Sequence, residues 1–224
     1  MNYSIDFSKV SLEQFKKDIK NKTFIPSRQI IKDEVDIHFD AFKKAKINNC
    51  KELQSIINDK KAKVKLLKDS VISDEYLTVL LREMNSIQAK PLKLKEFNWI
   101  LNETINKIEK TGISNTKILY ERLGKSKERK EFSKTTGINE KEIIELLKLS
   151  DLVRIQWVNS TFAHILYLTD FDTVEKVSKA DHKDLYNKVA SKNDEMKLYK
   201  GKIGLNDMKL CIEAAKYIEA EIEV

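Results

Sequence analysis

Glycine, proline, cysteine and arginine are scarce in this chain of 224 residues, with 5 Gly, 2 Pro and 2 Cys. So few chain breakers exclude collagen-like, low-complexity and strand-rich sandwich architectures, all of which need frequent turn residues. Cys50 and Cys211 are too few and too far apart for a metal quartet or a disulfide framework. They fit buried thiols in a reducing cytoplasm. The opening residues Met1 to Asp6 have neither a basic n-region nor an apolar h-region, so no signal peptide is expected. The longest charge-free run, Ile155–Thr169, is too short to span a bilayer and contains Gln156, Asn159 and His164. His38, His164 and His182 are scattered, with no His-x-x-x-His spacing, so no metal or other cofactor is expected.

What is abundant is Lys, Glu, Leu and Ile, the composition of an all-α protein. Lys+Arg is 42 against 35 Asp+Glu, a net charge of +7, and the excess is uneven. Residues 88–134 hold 12 basic and 6 acidic side chains, whereas residues 135–224 hold 13 and 16. Any role of the basic excess therefore belongs to the middle of the chain. Arg28, Arg82, Arg122, Arg129 and Arg154 are the only arginines. A surface so dominated by Lys suits point-charge contact with phosphates better than bidentate recognition.

Shifting the sequence by 66 residues aligns 35–87 with 101–153 without a gap. Identities include Lys44/Lys110, Ile47/Ile113, Asn49/Asn115, Leu53/Leu119, Ile72/Ile138 and Leu80/Leu146. A third copy follows, with Trp99 falling on Trp157 at a shift of 58 and Ile138-Asn139 on Leu205-Asn206 at a shift of 67. The difference implies an inserted loop near Ser191–Lys200. The expected organisation is an N-terminal segment (1–34) and three units, 35–90, 91–156 and 157–224. Each unit has a helix after an apolar–cap pair, a middle helix (about 60–69, 126–136 and 181–191) and a last helix. Asn49 with Glu52 and Asn139 with Glu142 have the spacing of capping boxes. Gly137 stands where a left-handed residue closes a helix. No helix could bury its apolar stripe alone, so the three units are expected to stack into one helical core.

Phe97-Asn98-Trp99-Ile100-Leu101-Asn102 and Arg154-Ile155-Gln156-Trp157-Val158-Asn159, each running on to an apolar–cap pair, look like helix-hairpin-helix motifs. With Ser150-Asp151-Leu152-Val153 they make the stretch from about 97 to 190 resemble a bacterial family known as domain of unknown function family 4332. The resemblance implies tandem helix-hairpin-helix-like units and brings no catalytic residue. In helix-hairpin-helix proteins a Gly–apolar–Gly core lets backbone N–H groups approach a DNA phosphate at a helix N-terminus. Here those glycine positions hold Trp99 and Leu101, Trp157 and Asn159, and Asp33 and Val35. Hairpin-type phosphate contact is best retained in the third unit, where Arg154 and Asn159 stand and Asn159 tolerates a left-handed backbone.

The middle helices carry basic residues at matched places: Lys61, Lys63 and Lys68 in the first unit, Lys127, Arg129, Lys130 and Lys134 in the second. Lys127, Lys130 and Lys134 lie at i, i+3 and i+7, on one helix face. They form either a phosphate-facing stripe or a solvated surface. Trp99 and Trp157 could stack on bases, but as large apolar side chains they are expected to be buried hairpin anchors. The stretch Lys200–Asn206, with Gly201 and Gly204, reads as a turn before an Asn206 cap and does not match a P-loop. Glu13, Glu34, Asp151 and Asp207 pair with nothing suggestive, and no set of catalytic roles can be assembled, so the chain is not expected to be an enzyme. The expected function is a non-catalytic binding module for DNA or RNA, reading phosphates through basic helices. A protein partner or self-association scaffold is the alternative, mildly favoured by the acidic run Glu219, Glu221 and Glu223.

Overall fold

The computed structural model describes residues 1–224 and is all-α. Its helices are α1 (Leu12–Asn21), α2 (Val35–Lys44), α3 (Cys50–Asn58), α4 (Lys60–Lys68), α5 (Asp74–Ile87), α6 (Asn102–Lys110), α7 (Thr116–Leu123), α8 (Ser126–Thr136), α9 (Glu140–Leu152), α10 (Ser160–Tyr167), α11 (Val174–Ser178), α12 (His182–Met196) and α13 (Leu205–Ala215). Short 3-10 turns occupy Pro26–Lys32 and Leu94–Glu96. No helix is long and apolar enough to cross a membrane.

Side-chain caps set most of the helix starts, because an Asn, Asp, Ser or Thr oxygen can accept an N–H that the helix leaves unpaired. Ser11 accepts from Gln14, Asn49 from Glu52, Asn115 from Ile118, Asn159 from Phe162 and Thr173 from Lys176. The Glu52 carboxylate reaches back to the N–H of Asn48 at 2.7 Å, one residue before its expected place in a capping box. Glu142 does not close a box with Asn139; its carboxylate accepts the Thr104 hydroxyl at 2.9 Å. Gly137 ends α8 at φ 70°, a left-handed conformation that a Cβ would strain. Two expectations on the last stretch need correction. Helix α12 runs on to Met196, through the loop expected at 191–200. The cap of α13 is Gly204, not Asn206, and Asp207 accepts the Gly204 N–H at 2.8 Å.

The buried side chains do not form the single core expected from stacked units. They fall into two clusters, each built by its own part of the chain. Residues 5–87 make one compact unit; residues 1–4 with 88–224 make the other. In the first, the aromatic rings of Phe15, Phe39 and Phe42 pack with Leu53, Leu77 and Leu80. A buried ion pair, Lys22–Glu83 at 2.7 Å, sits in the same unit. In the second, α7, α9, α10 and α13 supply Leu119, Leu146, Leu147, Ile165 and Ala215. The sequence pattern places an apolar stripe on a helix face but carries no information on which faces share a cluster.

The two tryptophans have unlike surroundings. Trp99 is half-buried, stacked on His164 with centroids 3.8 Å apart and planes 1° from parallel. Trp157 is 49% exposed and adopts φ 69°, so the hairpin position expected to be buried is open to solvent. The left-handed residue of that hairpin is Trp157 and not Asn159, which has φ −91°. Both turns nevertheless close with the same bond, Ile100 N–H to Phe97 and Val158 N–H to Ile155, each 3.0 Å. Acrylamide is therefore expected to quench Trp157 strongly and Trp99 weakly. Single-tryptophan variants, W99F and W157F, check this; equal quenching of both would place Trp157 inside the fold.

Candidate nucleic-acid interface

Helix α8 begins without a side-chain cap of its own, since Lys125 at the cap position supplies none. The Ser126 N–H donates instead to the Glu223 carboxylate, 3.0 Å away. From this head the helix presents Lys127, Lys130 and Lys134, all exposed, along one face. With Ser126, Glu131 and Glu223 they line an open concavity of about 660 Å³. Lysines elsewhere in the same unit are tied to carboxylates: Lys107 to Glu103, Lys148 to Asp172, Lys179 to Glu175 and Lys188 to Asp170. Lys127, Lys130 and Lys134 are left to solvent, with charge available to an incoming anion.

Arg129 does not share that face. It is 2% exposed, and its guanidinium donates to the carbonyls of Leu123 (3.0 Å), Gly124 (2.9 Å) and Glu223. Its place at i+2 from Lys127 turns it toward the interior, where three carbonyls compensate its charge. The expectation that Arg129 belongs to the exposed stripe is thereby corrected.

Helix α4, in the unit of residues 5–87, carries Lys61 and Lys68 exposed, as expected. Lys63 is half-buried and paired with Asp74 at 2.7 Å, so it is not an open contact. Asp59 caps α4, accepting from the Ala62 N–H at 2.7 Å.

The third hairpin does not provide a site. Arg154 is 3% exposed and donates to the carbonyls of Tyr3 (3.0 Å) and Glu219 (2.9 Å), the Asp151 carboxylate (2.7 Å) and the Tyr120 hydroxyl. Asp151, expected to pair with nothing suggestive, thus holds the arginine and also accepts the Val174 N–H at 2.8 Å. Burial raises the Asp151 carboxyl above its ordinary range, against the lowering effect of the Arg154 charge. Asn159 spends its side chain on capping α10, accepting from Phe162 at 2.9 Å. Phosphate reading by Arg154 and Asn159 fails because tertiary packing has already used both side chains. Near Gly201 and Gly204, the Asp207 carboxylate occupies the head of α13, where an anion would be repelled.

No group of His, Cys, Asp and Glu could hold a metal ion. Burial pushes the thiols of Cys50 and Cys211 up to about 12, which keeps both protonated and weakly nucleophilic near neutral pH. The Glu223 cap was missed from the sequence. The acidic run 219–223 was visible, but nothing local indicated that it would return to a helix head some ninety residues earlier in the chain.

These observations define an all-α protein with an open, lysine-lined helix face in the unit of residues 1–4 and 88–224. The profile of a family described as a domain of unknown function (DUF4332) matches residues 99–218, more than half of the chain, and the protein belongs to that family. Comparison with curated proteins and with solved structures yields no match.

Proposed function

We propose that the protein is a non-catalytic, sequence-tolerant nucleic-acid-binding module and that α8 is its contact surface. The observation that carries the reading is the run of Lys127, Lys130 and Lys134 along one exposed helix face, unpaired by carboxylates and bordering an open concavity. Lysines reach phosphates as point charges and leave base edges unread, so the ligand is DNA or RNA without sequence preference. The mid-chain position of the basic excess agrees with it.

The helix starts support an architecture of tandem helix-hairpin-helix-like units. Helices α2 to α5 begin at residues 35, 50, 60 and 74, and α6 to α9 at 102, 116, 126 and 140, a nearly constant offset. The glycine-poor hairpins in these units, with Arg154 buried, favour binding through the middle helix over binding through a hairpin.

Titrating a short duplex across a range of salt tests the function. Each phosphate neutralised contributes about −0.9 to the slope of log affinity against log salt. K127A/K130A/K134A is expected to lower that slope by about three units while the melting temperature stays nearly unchanged, as befits solvated charges. An unchanged slope in the triple variant, or no binding by the native chain at low salt, would refute the assignment. In the second case self-association becomes the better reading, tested by a concentration-dependent mass.

A further inference from the structure

The head of α8 is built like an anion site that the chain fills with its own carboxylate. Glu223 makes three contacts there: its carboxylate accepts the Ser126 N–H at 3.0 Å, its backbone carbonyl accepts from Arg129 Nη2, and its N–H donates to the Gly124 carbonyl at 3.0 Å. A helix N-terminus favours negative charge, and this helix supplies no cap of its own. A second feature points to a ligand. Arg129 is almost wholly buried and its Nε has no hydrogen-bond partner, so the guanidinium under Glu223 keeps an unused donor. Lys127 and Lys130 stand on the rim of the same concavity, with Glu131 as the opposing carboxylate.

We infer that the head of α8 is a phosphate-binding site, formed by the Ser126 N–H, the Arg129 guanidinium, Lys127 and Lys130, and masked by Glu223. The inference rests on the nucleic-acid reading above and adds to it a gate. A backbone phosphate of the bound strand takes the place of the Glu223 carboxylate, and residue 223 moves off Arg129. A phosphodiester offers two unesterified oxygens, enough to accept from the Ser126 N–H and from the guanidinium together. Glu223 competes from within the chain, at an effective concentration on the order of millimolar for a short tether. Masked affinity is therefore well below the intrinsic affinity of the site.

Two variants test it on the full chain: E223Q, which keeps the shape and removes the charge, and a deletion of residues 223–224. Binding of a short duplex is measured as a function of salt, with the melting temperature recorded alongside. Both variants are expected to bind at least about tenfold more tightly than the native chain. The log–log slope is expected to steepen by about one unit for the additional phosphate. Adding K127A/K130A is expected to abolish the gain. If the deletion lowers the melting temperature into the working range, E223Q alone decides. Native-like affinity and slope in E223Q overturns the masked site while leaving α8 as the binding face. A gain that persists in K127A/K130A also overturns it, because the phosphate then lies elsewhere. No binding by the native chain or by either variant overturns the site and the nucleic-acid reading together.

Discussion

Replacing Asp151 with alanine is expected to destabilise the unit of residues 1–4 and 88–224 by about 3–5 kcal/mol. Asp151 and Arg154 are 1% and 3% exposed, and the pair is 2.7 Å apart. Such a pair adds little net stability, because desolvation offsets the attraction. Removing one partner is a different matter. Arg154 then keeps its carbonyl contacts to Tyr3 and Glu219 but has no counter-charge in the interior. The Val174 N–H at the first residue of α11 also loses its acceptor. Denaturant unfolding followed by tryptophan fluorescence measures the loss. D151A/R154M is expected to recover a large part of it, since a well-packed apolar side chain replaces the stranded charge. A loss below about 1 kcal/mol in D151A would mean that water reaches Arg154.

The other large effect is expected in the unit of residues 5–87. Phe42 is fully buried on α2, and its ring meets Phe39 edge-on at 5.4 Å. Phe42→Ala removes the aromatic area and leaves a cavity that a close-packed interior fills only in part, at a cost of about 3–5 kcal/mol. Hydrogen exchange locates the effect. Amides of α2, α3 and α5 lose protection in F42A, in proportion to the fall in stability of their own cluster. Protection unchanged in these helices would show that Phe42 does not anchor the cluster.

The two residues differ in how far the sequence disclosed them. Phe42 falls on an apolar stripe with Phe39, and its burial follows from helical spacing alone. The starts of α4 and α8 and the left-handed Gly137 were equally legible, since caps and breakers act within a few residues. Asp151, Arg154 and Arg129 were not legible. Each is a charge whose burial depends on carbonyls brought from remote segments: Tyr3 and Glu219 for one arginine, Glu223 for the other. Sequence reasoning assigns an arginine to the surface by default, and here that default removed two residues from the candidate interface. Trp157 failed for a backbone reason. Its size argued for burial, but its left-handed conformation and 49% exposure go together at the turn. Lys127, Lys130 and Lys134 survived because exposure on a single helix face needs only the helical period.

Lysine footprinting of the full chain tests the assignment of α8 most directly. Amines are labelled with and without a saturating short duplex, and the labelled residues are located by mass spectrometry. Lys127, Lys130 and Lys134 are expected to lose most of their reactivity in the complex. Lys200 and Lys202, before α13, are expected to keep theirs. Protection of Lys200 and Lys202 with Lys127, Lys130 and Lys134 fully reactive would contradict the account.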